Sequence, residues 1–119
     1  MKPTSAIPIF FVSNVDTAVQ HYTEVLGFRL SFRYGTYAGV TIGSAEVHLT
    51  DPGEPRQIVG AGTAYVLCDE VDSHFEKVRA AGAKVKTEPG NRPYGMRDFA
   101  VFDMDGNQLT FGCDSDSDL

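Results

Sequence analysis

Hydrophobic and polar positions alternate along this chain with two different periods, and each period predicts its own element. Ala18, Val19, Tyr22, Val25 and Leu26 recur at three-four spacing, which puts one apolar stripe on a helix, and Gly27 follows as the expected stop. Val71, Phe75 and Val78 mark a second helix, with Asp69 or Asp72 offering a capping oxygen and Gly82 ending it. Elsewhere the period drops to two. In "AEVHLT", Ala45, Val47 and Leu49 fall on one face of a strand and Glu46, His48 and Thr50 on the other. Leu109 and Phe111 likewise point inward while Gln108 and Thr110 do not.

The pattern runs twice. "FVSNVDTAVQHYTEVLGFRL", from Phe11, and "VLCDEVDSHFEKVRAAGAKV", from Val66, each give an apolar run, a capping segment with Val-Asp, a helix, a glycine and a new strand-like run. Three strands follow each helix, separated by turn signals at Tyr34 to Thr36, at Gly43-Ser44 and in "DMDGN". The stretch "EPGNRPYG" reads as a loop. Each half is therefore strand, helix, strand, strand, strand, and the class is α+β. One domain over residues 1–113 holds two such modules, at about 6–51 and 62–113, joined by the Pro/Gly-rich segment 52–61. Each sheet has one helix-covered face and one polar-aromatic face that must be wet, paired or occupied.

Composition narrows the function. The formal charge is −6, half of it from Asp114, Asp116 and Asp118 in an acidic segment 114–119 that reads as a flexible tail. Basic residues are not clustered as a nucleic-acid surface requires, so no nucleic-acid partner is expected. No apolar run approaches the roughly 18 residues of a membrane span, and the N-terminal "MKPTSAIPIFF" is too short for a signal peptide. A soluble, cytoplasmic protein is expected, with no membrane partner. Cys68 and Cys113 have neither zinc-site nor disulfide-framework spacing and read as reduced, structural thiols.

Catalytic machinery is not apparent. Ser13, Ser31, Ser44 and Ser73 lack a strand-elbow context, neither cysteine sits in a motif with a histidine, and "GVTIG" and "GAG" lack the strand-loop-helix setting of a dinucleotide site. His21 and His74 fall in the helices, away from the polar-aromatic face, and read as solvated or locally paired. Asp103 and Asp105 read as turn formers, because a calcium loop would need about twelve residues ending in Glu.

The doubled pattern, with "AIPIFFVSNVDTAVQHYTEVLGF", "YAGVTIGSAEVHL" and "RPYGMRDFAVFDMDGNQLTF", resembles the vicinal oxygen chelate superfamily, in its bleomycin resistance protein and glyoxalase-like branch. The resemblance runs from about Ala6 to Gly112. It implies paired βαβββ modules whose curved mixed sheets form a cup-shaped cleft, with the helices packed on the outer faces. It also implies a homodimer, with two cups built across the subunit interface. Metal-using members place ligands at positions that match Ile7, His48, Thr63 and Thr110 here, and only His48 is a good ligand. No cofactor is therefore expected.

Phe32, Tyr37, Tyr65 and Tyr94 match positions where bleomycin-binding members carry cleft aromatics, although some of those members have Trp at the last two and this chain has none. Glu46, His48, Thr63 and Thr110 share the cup face by strand alternation, and Arg97 and Asp98 either orient a ligand or form a solvent-exposed ion pair across the interface. The expected function is non-catalytic sequestration of a small aromatic, cationic compound of the bleomycin glycopeptide type, conferring antibiotic resistance. Two alternatives are a metal-dependent glyoxalase-like lyase or dioxygenase using His48 with Glu46, and an interaction module whose cup receives another protein's side chains.

Overall fold

A computed structural model describes residues 1–115. Both halves adopt the expected order. The first comprises β1 (Ile9–Phe11), α1 (Val15–Glu24), β2 (Arg29–Tyr34), β3 (Tyr37–Ile42) and β4 (Ala45–Thr50). The second comprises β5 (Thr63–Leu67), α2 (Val71–Ala80), β6 (Lys84–Asn91), β7 (Met96–Phe102) and β8 (Gln108–Asp114). The sheets are ordered β1-β4-β3-β2 and β5-β8-β7-β6. Each first strand runs parallel to its module's last strand, Ile9 opposite His48 and Tyr65 opposite Thr110, and the other pairings are antiparallel. Among the described residues β1 and β5 are thus edge strands whose outer backbone groups have no strand beside them. Among the described residues no helix is long and apolar enough to cross a membrane.

Local chemistry explains most boundaries. The Asn14 side chain accepts from the Thr17 N–H at 2.9 Å and caps α1, and Gly27, at φ 85°, turns the chain away after it. The cap expected for α2 is different. The residue before that helix is Glu70, at φ 49°, with no side-chain capping bond, and the Asp72 carboxylate is engaged by Arg97 at 2.7 and 2.9 Å. "EPGN" is also not loop: β6 continues to Asn91 through two register shifts, which let Pro89 and Gly90 lie in an edge strand. At the other end, β8 runs to Asp114, and Asp116 to Leu119 of the expected tail lie outside the described residues.

The two modules meet through their helix sides. Tyr22 of α1, Leu26 and Phe28 just after it, Phe75 of α2, and Phe99 and Phe111 of the second sheet are buried in a single apolar cluster. The Phe28 ring lies against Tyr22 at 5.3 Å and Phe111 at 6.5 Å, so the first module's helix end covers the second module's sheet. "DMDGN" does more than turn. Fully buried Asp103 accepts from the Tyr22 hydroxyl at 2.9 Å and from the N–H groups of Asp105 and Asn107, while Asp105 holds Ser13 and Asn107 donates to the Phe11 carbonyl. With both helix sides committed to one core, both polar-aromatic faces lie on the outside.

His21 and His74 are half-buried against this interior and not freely solvated. Each has a buried Nε2 with no hydrogen-bond partner among the described residues, and the His74 ring packs on Phe111 at 4.7 Å. Burial lowers the pKa of both from 6.5, offset at His21 by Asp103 and reinforced by Lys84 there and by Lys77 at His74. The unfolded chain therefore binds protons before the folded one does as pH falls, so the stabilising contribution is complete above pH 6.5 and declines below it. The urea midpoint should be lower at pH 5.5 than at pH 7.5, a window above the range in which ordinary carboxylates titrate, about pH 4. His74→Leu should shrink that difference; an unchanged midpoint in the native protein would show that these rings titrate normally.

Candidate functional site

The outer face of the first sheet is built around a missing side chain. Strand alternation puts Glu46 and His48 on that face of β4, with Val47 and Leu49 buried behind them. On β3 the residue opposite His48 is Gly39, which also pairs with Phe32 of β2. A Cβ at Gly39 would overlap the Phe32 ring, so the glycine lets that ring lie flat across β3 toward β4. There it meets His48 edge-on at 5.2 Å and stacks with Tyr37 at 6.2 Å and 18°. The Tyr37 hydroxyl lies 2.7 Å from His48 Nδ1, and His48 Nε2 lies 2.6 Å from Glu46. A neutral imidazole protonated on Nε2 satisfies both bonds, with the phenol donating to Nδ1.

The second sheet uses the same device. Tyr65 of β5 leans across β8 at Gly112, where a Cβ would overlap its hydroxyl, and reaches Asp98 of β7 at 2.9 Å. Asp98 is only 3% exposed and collects two more donors, the Tyr94 hydroxyl at 2.5 Å and Arg92 Nε at 2.8 Å. Burial alone would raise the Asp98 carboxyl, but the bonds from Arg92, Tyr94 and Tyr65 outweigh it and hold the pKa below the ordinary 3.8. The Tyr65 phenol is pushed well above its usual range by burial, then by the bond to Asp98 and that carboxylate's charge. Thr110 lies opposite Tyr65 and accepts from Gln108 at 3.2 Å, and Gln108 accepts from Lys86 at 2.8 Å.

Most of the residues singled out from sequence fall into two groups. Phe32, Tyr37, Glu46 and His48 form one; Tyr65, Tyr94 and Thr110 form the other, with Thr63 exposed on the same face at the start of β5. Arg97 does not join them. It alternates with Asp98, shares the helix side with Phe99, and grips Asp72 on α2. The cation at Asp98 is instead Arg92, whose guanidinium also caps the carbonyls of Glu88 and Asp98. Arg92, Gly39 and Gly112 are the contributors that residue type alone did not reveal, although a glycine inside an apolar strand is the signal for a close approach.

A metal centre fits this face poorly. Of the four positions considered, Ile7, Thr63 and Thr110 offer no strong donor, and His48 has both ring nitrogens engaged. Among the described residues no three His, Cys, Asp or Glu groups converge on a point where an ion could be held. A groove of about 700 Å³ runs beside the site, between Ser5–Pro8, the start of β4, β5 and α2. Val47, Val66, His74 and Phe111 line it from the helix side, and Glu46 and Tyr65 line it as well, so it is a seam between the modules that reaches both ring-bearing faces.

The family model of the Glyoxalase/Bleomycin resistance protein/Dioxygenase superfamily matches residues 6–111. The chain belongs to that superfamily. Its fold is shared by TnmS3, an antibiotic binding protein from Streptomyces sp. CB03234, at a TM-score of 0.83 and 25% identity over 97% of this chain and 99% of that one. The bleomycin-binding protein of bleomycin-producing Streptomyces verticillus, solved with copper(II)-bleomycin, is similar at a TM-score of 0.79 and 25% identity over 93% and 96%. TioX from Micromonospora sp. ML1 is 28% identical, with a TM-score of 0.77 over 92% and 95%. Comparison of the sequence with curated proteins gives no match. Neighbours of this superfamily chain therefore include proteins that bind antibiotics.

The glycine windows make a direct prediction. Gly112→Ala should leave the fold intact, at a cost of about 1 kcal/mol, because the far end of a tyrosine can swing away. The displaced Tyr65 phenol should then lose Asp98 and titrate nearer the ordinary value of about 10. Ultraviolet pH titration should show one more phenol ionising in that range than in the native protein. No change would mean that the ring does not depend on the window.

Proposed function

We propose that this chain is a binding protein that sequesters, without turnover, a small planar aromatic compound with cationic character, of the bleomycin glycopeptide type, and so confers antibiotic resistance as a cytoplasmic homodimer. The observation that carries this reading is the flat-lying ring on each outer face, Phe32 over Gly39 and Tyr65 over Gly112, beside fixed polar groups that, among the described residues, do not form a metal cage. A ring lying on the sheet offers its face to a flat ligand, and an offset stack contributes on the order of 1 kcal/mol beyond area burial. Glu46, about a third exposed beside Tyr37 and His48, supplies an acceptor for a cationic group, whose charge the ring faces also favour.

The reading places the ligand between a first-module face and a second-module face of two different subunits. Within one chain the two faces lie on the outside of a shared core, and the partners of each side-chain group come from its own module. Apolar residues stand exposed on the two edge strands or beside them, including Ile9 at 47% and Leu67 at 74%. Such edges ask for a partner. On this reading Tyr94, 64% exposed in the turn between β6 and β7 but tethered to Asp98, is the clamp at the rim.

Titration calorimetry with metal-free and copper-loaded bleomycin tests the proposal, with mass spectrometry of the recovered drug. Saturable binding of one drug per chain and recovery of the drug intact are expected; no heat at millimolar drug, or conversion of the drug, would refute it. Tyr94→Ala should weaken binding about tenfold, or about 1.4 kcal/mol. Sedimentation at the same concentrations should show a dimer.

A further inference from the structure

The two cysteines, far apart in sequence, are brought side by side by the parallel pairing of β5 and β8. Leu67 is in register with Gly112, which makes Cys68 and Cys113 the next pair along. The strands have not separated at that point, since the Cys68 N–H donates to the Gly112 carbonyl at 2.9 Å. Cys68 shares its side of the sheet with buried Val66, and Cys113 with buried Phe111, so both thiols project to the helix side, where both pack against the core. Both are free and half-buried. Burial raises the Cys68 thiol most, and Cys113 comes next among the groups that raise it, as adjacent sulfurs would. Neighbouring strands lie about 4.8 Å apart, inside the roughly 4.4–6.8 Å between Cα atoms that a disulfide spans.

We propose that Cys68 and Cys113 form a redox modification site, closed to an intramolecular disulfide by a low-molecular-weight disulfide of the oxidised glutathione class. Cys68 lines the groove between the N-terminal segment and α2, which gives the oxidant access. The Cys68 thiolate attacks one sulfur of the oxidant, breaks its S–S bond and releases one thiolate, which takes up the proton lost by Cys68. The Cys113 thiolate then attacks the Cys68 sulfur of the mixed disulfide and expels the second small thiolate. Two protein thiols are oxidised to one disulfide, and the small disulfide is reduced to two thiols.

The bridge would fasten β5, an edge strand with hydrogen bonds on one side only, to β8 at the residue after Gly112, the window under Tyr65. It would also close a long loop of chain, so Tm should rise by about 5 °C or more.

Native protein incubated with oxidised glutathione in the absence of denaturant, then analysed by intact mass and peptide mapping, tests this. The expected product has lost two hydrogens, retains no glutathione, contains a Cys68–Cys113 peptide pair, and reverts with dithiothreitol. Cys113→Ser should stop at the mixed disulfide on Cys68. A native protein that ends as the mixed disulfide, stays unmodified, or couples only between molecules would overturn the proposal.

Discussion

The hydrogen bond from the Tyr22 hydroxyl to the Asp103 carboxylate fixes how the two modules lie against each other. Both residues are fully buried, and they come from opposite halves of the chain. The same Asp103 Oδ2 also accepts from Asn107 Nδ2 at 2.9 Å, so loss of the Tyr22 donor would leave a buried carboxylate oxygen with one bond of two, and the contact discriminates between module arrangements more than it adds net stability. Around it the Phe28, Phe111 and His74 rings fill the space between helix sides. This commits the apolar faces of both sheets to one core. The polar-aromatic faces are outside because the apolar ones are inside.

On each exposed face, backbone and side chain share one solution. A side chain normally stands roughly perpendicular to its sheet, which would give a ligand the edges of aromatic rings. Gly39 and Gly112 remove the atom that would hold Phe32 and Tyr65 upright, and His48 and Asp98 supply the partners that keep the rings down. The polar groups are consumed in that task. His48 is occupied by Tyr37 and Glu46, and Asp98 by two phenols and a guanidinium, which leaves ordered surfaces with few free donors for chemistry.

Much of this was legible in the sequence because hydrophobic period reports burial directly. The three-four stripe through Ala18, Tyr22 and Leu26, and the alternation through Val47 and Leu49, define helices and faces that the structure reproduces. Failures came where one residue type has several uses. Asp72 stands at a helix start, yet its carboxylate closes on Arg97 and α2 begins without a side-chain cap. Asp103 has the composition of a turn residue and became a buried joint, since only the tertiary fold brings Tyr22 to it. Arg97 and Arg92 differ by strand parity and a turn, and a register shift in β6 makes the parity on that side of the sheet hard to count from sequence.

A flat molecule resting on one open sheet face keeps its other side in water, and so gains only part of the burial and stacking available to it. Neither module can add the second wall within the same chain, because the Tyr22–Asp103 joint and the apolar core turn the two faces outward. On the proposed reading, the second wall comes from another chain, and the edge strands β1 and β5 border those faces. The constraint that builds the core within one chain is thus the same one that leaves each ring-bearing face open on its outer side.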